Sequence, residues 1–125
     1  MAIAPGLTFT FEKVSQPRES AAALGSGGLE VFSTPSLVAL FEVTAKRGVD
    51  SHLPAGHSTV GIEIQVKHQK ATRIGKKVRC TATVTAVDGK RISFSGEMWD
   101  EDGRIGTGTH TRYVVNDEEF LKRLG

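Results

Sequence analysis

Two Asp-Gly dipeptides, Asp88-Gly89 and Asp102-Gly103, restrict the fold of this chain more than any other feature. Asp-Gly is a preferred sequence for the two-residue turn of a β-hairpin. Both dipeptides separate runs that are typical of strands. The sequence therefore predicts consecutive antiparallel strands, with one further turn at Gly75. Their predicted bounds are Thr59–Ala71, Lys77–Val87, Lys90–Asp100 and Ile105–Val115.

One strand and one long helix are predicted ahead of these segments. Apolar and polar side chains alternate over residues 7–14, which is typical of a strand. Thr34-Pro35-Ser36 is a helix start with Thr34 as the N-cap, and Gly48 after Arg47 is the predicted C-cap. A short last helix is predicted over Glu118–Leu124.

These elements predict an α+β fold, in which an antiparallel sheet of about five strands packs against one long helix. The length of 125 residues corresponds to one domain, covering residues 1–125. Hydrophobic residues make up 38% of the chain and charged residues 24%, a composition typical of a globular protein and not of a disordered one.

Composition also argues against several functional classes. No apolar run approaches the roughly 18 residues of a membrane span, and the first residues lack the basic segment of a secretion signal. Cys80 is the only cysteine, so a disulfide within the chain and a Cys-rich zinc site are excluded. We therefore expect a cytoplasmic protein. His52 and His57 are five residues apart without a third ligand, a weak metal signal, so no metal is expected.

Charge is unevenly distributed along the chain. Residues 64–87 contain no Asp or Glu, but they carry Lys67, Lys70, Arg73, Lys76, Lys77 and Arg79. Such a stretch attracts the phosphates of a ligand, or it is a solvated strand edge kept soluble by lysines. Aromatic residues that would stack on bases are absent from the stretch, and the net charge is only +2. Nucleic-acid binding is therefore not expected.

Three residues could form a polar site between the helix and the sheet, and each has a plain structural alternative. His68 ends a stripe that alternation predicts to face the helix, formed by Val60, Ile62, Ile64 and Val66. Alternatively, it is a structural histidine at the border of the core. Glu42 lies beside the apolar face of the helix as a candidate base or nucleophile, or it pairs with Lys46. Thr34 offers a hydroxyl at the helix N-terminus, or it is only the cap.

Two further side chains are expected to be structural. Cys80 shares its register with Val78, Ala82 and Val84, which predicts a small buried residue and not a nucleophile. His110 shares a strand face with Arg112, and a structural role is the expected one.

Three separated motifs resemble the fluoroacetyl-CoA thioesterase family of the hotdog superfamily. The first resembles the start of the family's central helix, with a Thr eight residues before a Glu, as in Thr34 and Glu42. The second is the family's histidine strand, with His68 at the matching position. The third is a strand that ends in Arg112. In this chain the motifs read Val31-Phe32-Ser33-Thr34-Pro35-Ser36-Leu37-Val38-Ala39-Leu40-Phe41-Glu42, Val66-Lys67-His68-Gln69-Lys70-Ala71-Thr72 and Ile105-Gly106-Thr107-Gly108-Thr109-His110-Thr111-Arg112.

The resemblance implies a hotdog fold, a homodimer or dimer of dimers, and hydrolysis of an acyl-CoA thioester. It implies Thr34, Glu42 and His68 as catalytic residues, with Glu42 attacking or activating water, His68 as acid/base and Thr34 orienting the carboxylate. It implies that Gly61 and Arg112 lie near the acyl group. Coenzyme A is then part of the substrate, and no other cofactor is implied. The alternative is a hotdog domain that binds acyl-CoA without hydrolysing it, as a sensor or a subunit.

The chain departs from the family in the segment just before the helix. The fluoroacetyl-selective enzyme has bulky aromatic residues in this lid, whereas the segment here reads Gly25-Ser26-Gly27-Gly28-Leu29-Glu30. A glycine-rich lid provides no aromatic gate. We therefore expect an acyl group other than fluoroacetyl, with a bulkier group as the first candidate.

Overall fold

A computed structural model describes residues 2–125. The chain forms strand β1, two short helical segments, a long helix α2, four consecutive strands and a final helix α3. Their bounds are β1 Thr8–Val14, a 3-10 turn Pro17–Glu19, α1 Ala21–Leu24, α2 Thr34–Asp50, β2 His57–His68, β3 Lys77–Asp88, β4 Arg91–Asp100, β5 Gly103–Asn116 and α3 Asp117–Arg123.

The five strands form one antiparallel sheet in the order β1-β3-β4-β5-β2. Both predicted Asp-Gly hairpins are present, joining β3 to β4 and β4 to β5. Strands β1 and β2 are therefore the sheet edges, and the free side of β2 is a 12-residue edge. Helix α2 contacts every strand, which confirms the α+β arrangement of one sheet around one long helix.

The core lies between α2 and the sheet. Helix α2 contributes apolar side chains from one face, among them Leu37, Phe41 and Ala45, all fully buried. The sheet contributes alternate residues of β3 and β4, and Cys80 is among them with 0% exposure. Burial raises the pKa of the Cys80 thiol to about 11, so it is an inert core residue, as the register predicted.

The predicted end of α2 at Gly48 is wrong, because the helix continues to Asp50. Gly48 lies inside the helix where the ring of Phe9 packs directly on its backbone. A Cβ at this position would be 2.0 Å from Phe9 Cγ. The glycine is therefore required by close packing between β1 and α2 and not by a helix cap.

The predicted inward stripe of β2 is only half right. A β-bulge lies between Gly61 and Glu63, where β2 gains a residue relative to β5. Beyond the bulge Ile64, Val66 and His68 lie on the helix side, but Ile62 is 48% exposed. Before the bulge the inward positions are Thr59 and Gly61. The extra residue shifts the alternation by one, which a constant period of two cannot detect.

The strand also ends earlier than predicted. The backbone leaves β2 after His68, and the amides of Gln69 and Lys70 both donate to the carbonyl of Ile105.

Within residues 2–125, no helix is long and apolar enough to cross a membrane.

Candidate active site

Thr34 and His68 are joined by a hydrogen bond, with 2.8 Å between Thr34 Oγ1 and His68 Nδ1. The prediction that Thr34 caps α2 is wrong. Ser33 is the N-cap, and its hydroxyl oxygen accepts from the amide of Ser36. Thr34 is the first residue inside the helix, so its hydroxyl is not needed by the helix backbone. The pair forms because the start of α2 lies beside the end of β2.

His68 has one ring nitrogen with a partner and one without. Its Nε2 is buried and has no hydrogen-bond partner within residues 2–125. Burial also lowers the pKa of His68 from the ordinary value of 6.5. A buried imidazole nitrogen without a partner is costly unless something else binds it. The unsatisfied nitrogen therefore marks a place where a further group can bind.

A cavity of about 290 Å³ opens at the Thr34–His68 pair. Its walls come from the glycine-rich lid, from the chain entering α2 and from the segment after β2. They include Ser26, Phe32 and Lys70. The lid contributes a small side chain here, in agreement with the absence of an aromatic gate in the sequence.

Glu42 lies two turns further along α2, in a second cluster. Eight residues of helix place it about 12 Å from Thr34 along the axis. A Cβ added to Gly61 would be 3.2 Å from Glu42 Oε2 and 3.3 Å from Arg112 Nη1. Within residues 2–125, the Glu42 carboxylate makes no hydrogen bond or ion pair. It is half-buried beside glycine backbone, a position from which it can act on a ligand.

Arg112 is 5% exposed and is held by three hydrogen bonds. Its Nε donates to Thr59 Oγ1 at 2.7 Å, its Nη2 donates to the Thr59 carbonyl at 2.8 Å, and its Nη1 contacts His110 Nε2 at 3.1 Å. Burial lowers the pKa of Arg112, while Asp50 and Glu42 act against that shift. The guanidinium is thus a fixed positive charge beside Glu42.

His110 is held in one tautomer. Its Nδ1 lies 2.7 Å from the carbonyl of Glu63, an acceptor, so Nδ1 carries the proton and Nε2 accepts from Arg112. Burial, with a smaller effect from Arg112, lowers the pKa of His110, which favours this neutral form. The Glu63 carbonyl belongs to the bulge of β2. His110 therefore ties the bulge to β5, which agrees with a structural role.

Within one chain the five predicted site residues form two clusters and not one. Thr34 and His68 form the first, and Glu42, Gly61 and Arg112 form the second. Gly61 and His68 are seven residues apart on β2, which is about 23 Å along a strand. Thr34, His68 and Glu42 of the same chain are therefore too far apart to act on one substrate carbonyl. A site that contains all three needs residues from two chains.

The remaining candidates are accounted for locally. His57 Nδ1 contacts the Ala55 carbonyl and His52 packs on Phe9, and residues 2–125 contain no group of three metal-binding side chains. Three residues of the basic stretch are engaged: Lys76 with Glu101, Lys77 with Glu12 and Arg79 with the ring of Trp99.

Sequence reasoning missed Thr59 and Asp50, which support Arg112. The hydroxyl of Thr59 donates to Asp50 Oδ1 at 2.8 Å while it accepts from Arg112. Constant alternation along β2 predicts Thr59 on the outer face of the sheet, which is wrong because the bulge places it on the inner face. The one available signal for Thr59 was that a polar residue pairs with a buried position of β5, which is Val114.

Comparison with known sequences shows the family to which the chain belongs. The profile of the fluoroacetyl-CoA-specific thioesterase family matches residues 16–118. The fluoroacetyl-CoA thioesterase of Streptantibioticus cattleyicolor is 37% identical over 95 residues, which cover 76% of this chain and 68% of that protein.

Solved structures of related thioesterases have the same fold. A crystal structure of a mutant fluoroacetyl-CoA-specific thioesterase superposes with a TM-score of 0.92 at 31% identity, covering 99% of this chain and 96% of that one. The same mutant in complex with fluoroacetate and CoA gives 0.89 at 32% identity, covering 94% and 99%. A hot-dog-like protein from Thermanaerovibrio acidaminovorans gives 0.87 at 26% identity, covering 96% and 89%. The chain therefore belongs to the fluoroacetyl-CoA-specific thioesterase family and is a thioesterase with the hotdog fold.

Proposed function

We propose that this protein hydrolyses an acyl-CoA to the free acid and coenzyme A, with an acyl group other than fluoroacetyl. The observation that carries the proposal is the Thr34–His68 hydrogen bond at the mouth of a cavity, with an unsatisfied imidazole nitrogen. The complex of a relative with fluoroacetate and CoA supports the substrate class. We also propose that the protein is cytoplasmic and that its reaction uses no metal or redox cofactor.

The proposed active unit is a homodimer in which the β2 edges of two copies pair antiparallel. An unpaired edge of this length needs cover. A two-fold axis that passes between Ile64 and Gln65 relates the Gly61 end of one strand to the His68 end of the other. On α2 the midpoint between Thr34 and Glu42 is the half-buried Val38, and those two residues lie beside His68 and Gly61 of β2. Both midpoints therefore fit one axis.

Pairing about this axis brings the two clusters together across the interface. Glu42, Gly61 and Arg112 of one copy then face Thr34 and His68 of the other. This arrangement supplies the two things that a single chain lacks, a partner group near His68 Nε2 and a base within reach of the same carbonyl. Each dimer has two such sites.

In the proposed reaction, Glu42 takes a proton from water as the water attacks the thioester carbonyl, or its carboxylate attacks directly to form an acyl anhydride that water then hydrolyses. The Gly61 amide and the Arg112 charge stabilise the oxyanion that forms. In both routes the neutral His68 passes the proton that water gives up to the departing thiolate as the carbon–sulfur bond breaks, and Thr34 holds the imidazole in place. The products are the carboxylic acid and coenzyme A.

Substrate preference is proposed to follow from the lid and the basic stretch. The lid places Ser26, and no aromatic ring, against the cavity, which leaves room for a bulkier acyl group. Lys67, Lys70 and Arg73 are exposed and make no ion pair within residues 2–125, and Lys70 lines the cavity. They are the candidates for the phosphates of coenzyme A.

The test is release of free thiol from a panel of short, branched, aromatic and long acyl-CoAs, with fluoroacetyl-CoA included. We expect turnover of one class other than fluoroacetyl-CoA, reduced about a thousandfold in Glu42→Gln. Sedimentation of the same sample is expected to show a dimer. Tight binding of an acyl-CoA without turnover would contradict the proposal and support a binding domain instead.

A further inference from the structure

A chain of hydrogen-bonded side chains links the exposed end of α2 to Arg112. Lys46 Nζ donates to Asp50 Oδ2 at 2.8 Å, and Asp50 Oδ1 accepts from the Thr59 hydroxyl at 2.8 Å. Thr59 Oγ1 in turn accepts from Arg112 Nε at 2.7 Å. Thr59 uses its one proton on Asp50 and a lone pair on Arg112, so its orientation is fixed at both ends.

Within residues 2–125, no carboxylate contacts Arg112 directly. Buried guanidinium groups are expected to pair with one, because an unpaired buried charge is costly. Here Asp50 acts through an intervening hydroxyl, and Glu42 lies beyond ion-pair distance. Arg112 Nη1 and Glu42 Oε2 each lie within 3.3 Å of the point where a Gly61 Cβ would be, so they are at most about 6.5 Å apart.

The hydrogen bonds from Asp50 through Thr59 explain how Arg112 stays in place while its positive charge is not neutralised by a carboxylate. A direct ion pair with Asp50 would draw the guanidinium away from Glu42 and screen its charge. Three contacts to neutral acceptors instead fix its plane and leave two of its five N–H groups unassigned. Its charge remains available on the side of Gly61 and Glu42.

We infer that Asp50 and Thr59 are positioning residues, which hold Arg112 at the angle that the Glu42 cluster needs for turnover. This inference rests on the proposed role of Glu42. It assigns to two residues outside the reacting groups an effect on kcat larger than their effect on binding or folding.

The test compares Thr59→Val, which keeps the shape but removes the hydroxyl, with Thr59→Ser, which keeps the hydroxyl. Thr44→Val is the matched control, because the Thr44 hydroxyl is also buried but donates to the Leu40 carbonyl within α2 and has the Cys80 thiol as its other partner. Asp50→Ala provides a second variant at a side chain that is still 17% exposed, and so tolerates substitution if Thr59→Val does not fold.

Two readouts are measured on the full-length protein. The first is kcat and KM for the acyl-CoA identified by the panel. The second is the arginine Nε–H signal in 15N NMR spectra, assigned to Arg112 by its loss in Arg112→Lys. A guanidinium held as described gives a slowly exchanging Nε–H signal, and this readout does not depend on activity.

We expect Thr59→Val and Asp50→Ala to lower kcat roughly 10- to 100-fold with KM changed less than about threefold, and to lose the slow Arg112 signal. Thr59→Ser and Thr44→Val should keep both. Equal kcat in Thr59→Val and Thr59→Ser, or an equal loss of kcat in Thr44→Val, would overturn the inference. A wild-type protein without turnover would instead contradict the proposed function, and the Arg112 signal would then decide whether Thr59 and Asp50 hold the guanidinium.

Discussion

The Thr34 hydroxyl lies 2.8 Å from His68 Nδ1 and is free to bond to it because the residue before it caps the helix. Ser33 accepts the Ser36 amide, which relieves Thr34 of the role that its position at the helix start suggested. Two adjacent hydroxyls thus have separate tasks. One stabilises α2, and the other is left to orient an imidazole.

Variants of these two hydroxyls should therefore differ in what they change. We expect Ser33→Ala to lower the free energy of unfolding by about 1 kcal/mol through loss of the cap. Thr34→Val should change it by less than about 0.5 kcal/mol but lower kcat roughly 10- to 100-fold. Urea unfolding and thiol release measure the two effects, and Thr34→Ser is the control that keeps the hydroxyl. A Thr34→Val variant with lost stability and intact kcat would show that Thr34 is structural.

The lowered pKa of His68 predicts how activity depends on pH. Burial favours the neutral imidazole, so the ring stays unprotonated to a pH below the ordinary value of 6.5. We expect the acid limb of the kcat/KM profile to have its midpoint below that value. A midpoint above 6.5 would mean that His68 is protonated more easily than its burial allows, and would contradict the assignment.

The same shift predicts a pH dependence of stability. Below pH 6.5 the unfolded chain binds protons that the buried His68 and His110 resist. The free energy of unfolding should therefore fall as pH falls from about 6.5 toward the lowered native pKa values of these two histidines. Above about pH 6.5 the two histidines should contribute little pH dependence. Urea unfolding at several pH values measures the slope. His68→Gln should reduce it, and an unchanged slope in that variant would count against the burial of the ring.

Gly61 is expected to act through Glu42. A Cβ in Gly61→Ala would approach Glu42 Oε2 and His110 Cε1 to 3.2 Å, so the carboxylate must shift by a few tenths of an ångström. We expect kcat to fall about tenfold or more. In the Glu42→Gln background the same change should have little further effect, since its target is already lost. Additive losses in the double variant would indicate that Gly61 and Glu42 act separately.

Gly48 separates helix propensity from packing. Propensity alone predicts that Gly48→Ala stabilises α2 by about 1 kcal/mol. The contact of 2.0 Å with Phe9 predicts the opposite, a loss of about 1–3 kcal/mol from overpacking. Thermal unfolding decides the sign, and Phe9→Leu should restore part of the loss. A more stable Gly48→Ala variant would place Phe9 elsewhere.

The parts of the fold that depend on local pattern were predictable, and those that depend on distant contacts were not. Asp88-Gly89 and Asp102-Gly103 encode their hairpins within a few residues, so the sheet could be predicted. The end of α2 could not be predicted, because Gly48 is required by its contact with Phe9 on β1 and does not mark the end of the helix. The bulge after Gly61 is likewise recognisable only against β5, and it moves Thr59 and Gly61 to the inner face.

The site follows the same division. Thr34, Glu42 and His68 could be named from motifs, since each occupies a position with a fixed spacing. Their grouping could not be read from the sequence, because it depends on where α2 crosses β2. The crossing separates Glu42 from His68 within one chain, and that separation leads to the proposed site between two copies.

Subunit mixing tests this account most directly. Glu42→Gln and His68→Ala homodimers should each be inactive, since every site lacks one group. In a randomly mixed sample, half of the dimers are hybrids with one intact and one doubly altered site, so turnover should return to about a quarter of the wild-type value per chain. Affinity tags of two kinds confirm that hybrids have formed. Hybrids that remain inactive would contradict the account, because a site contained within one chain cannot be restored by mixing.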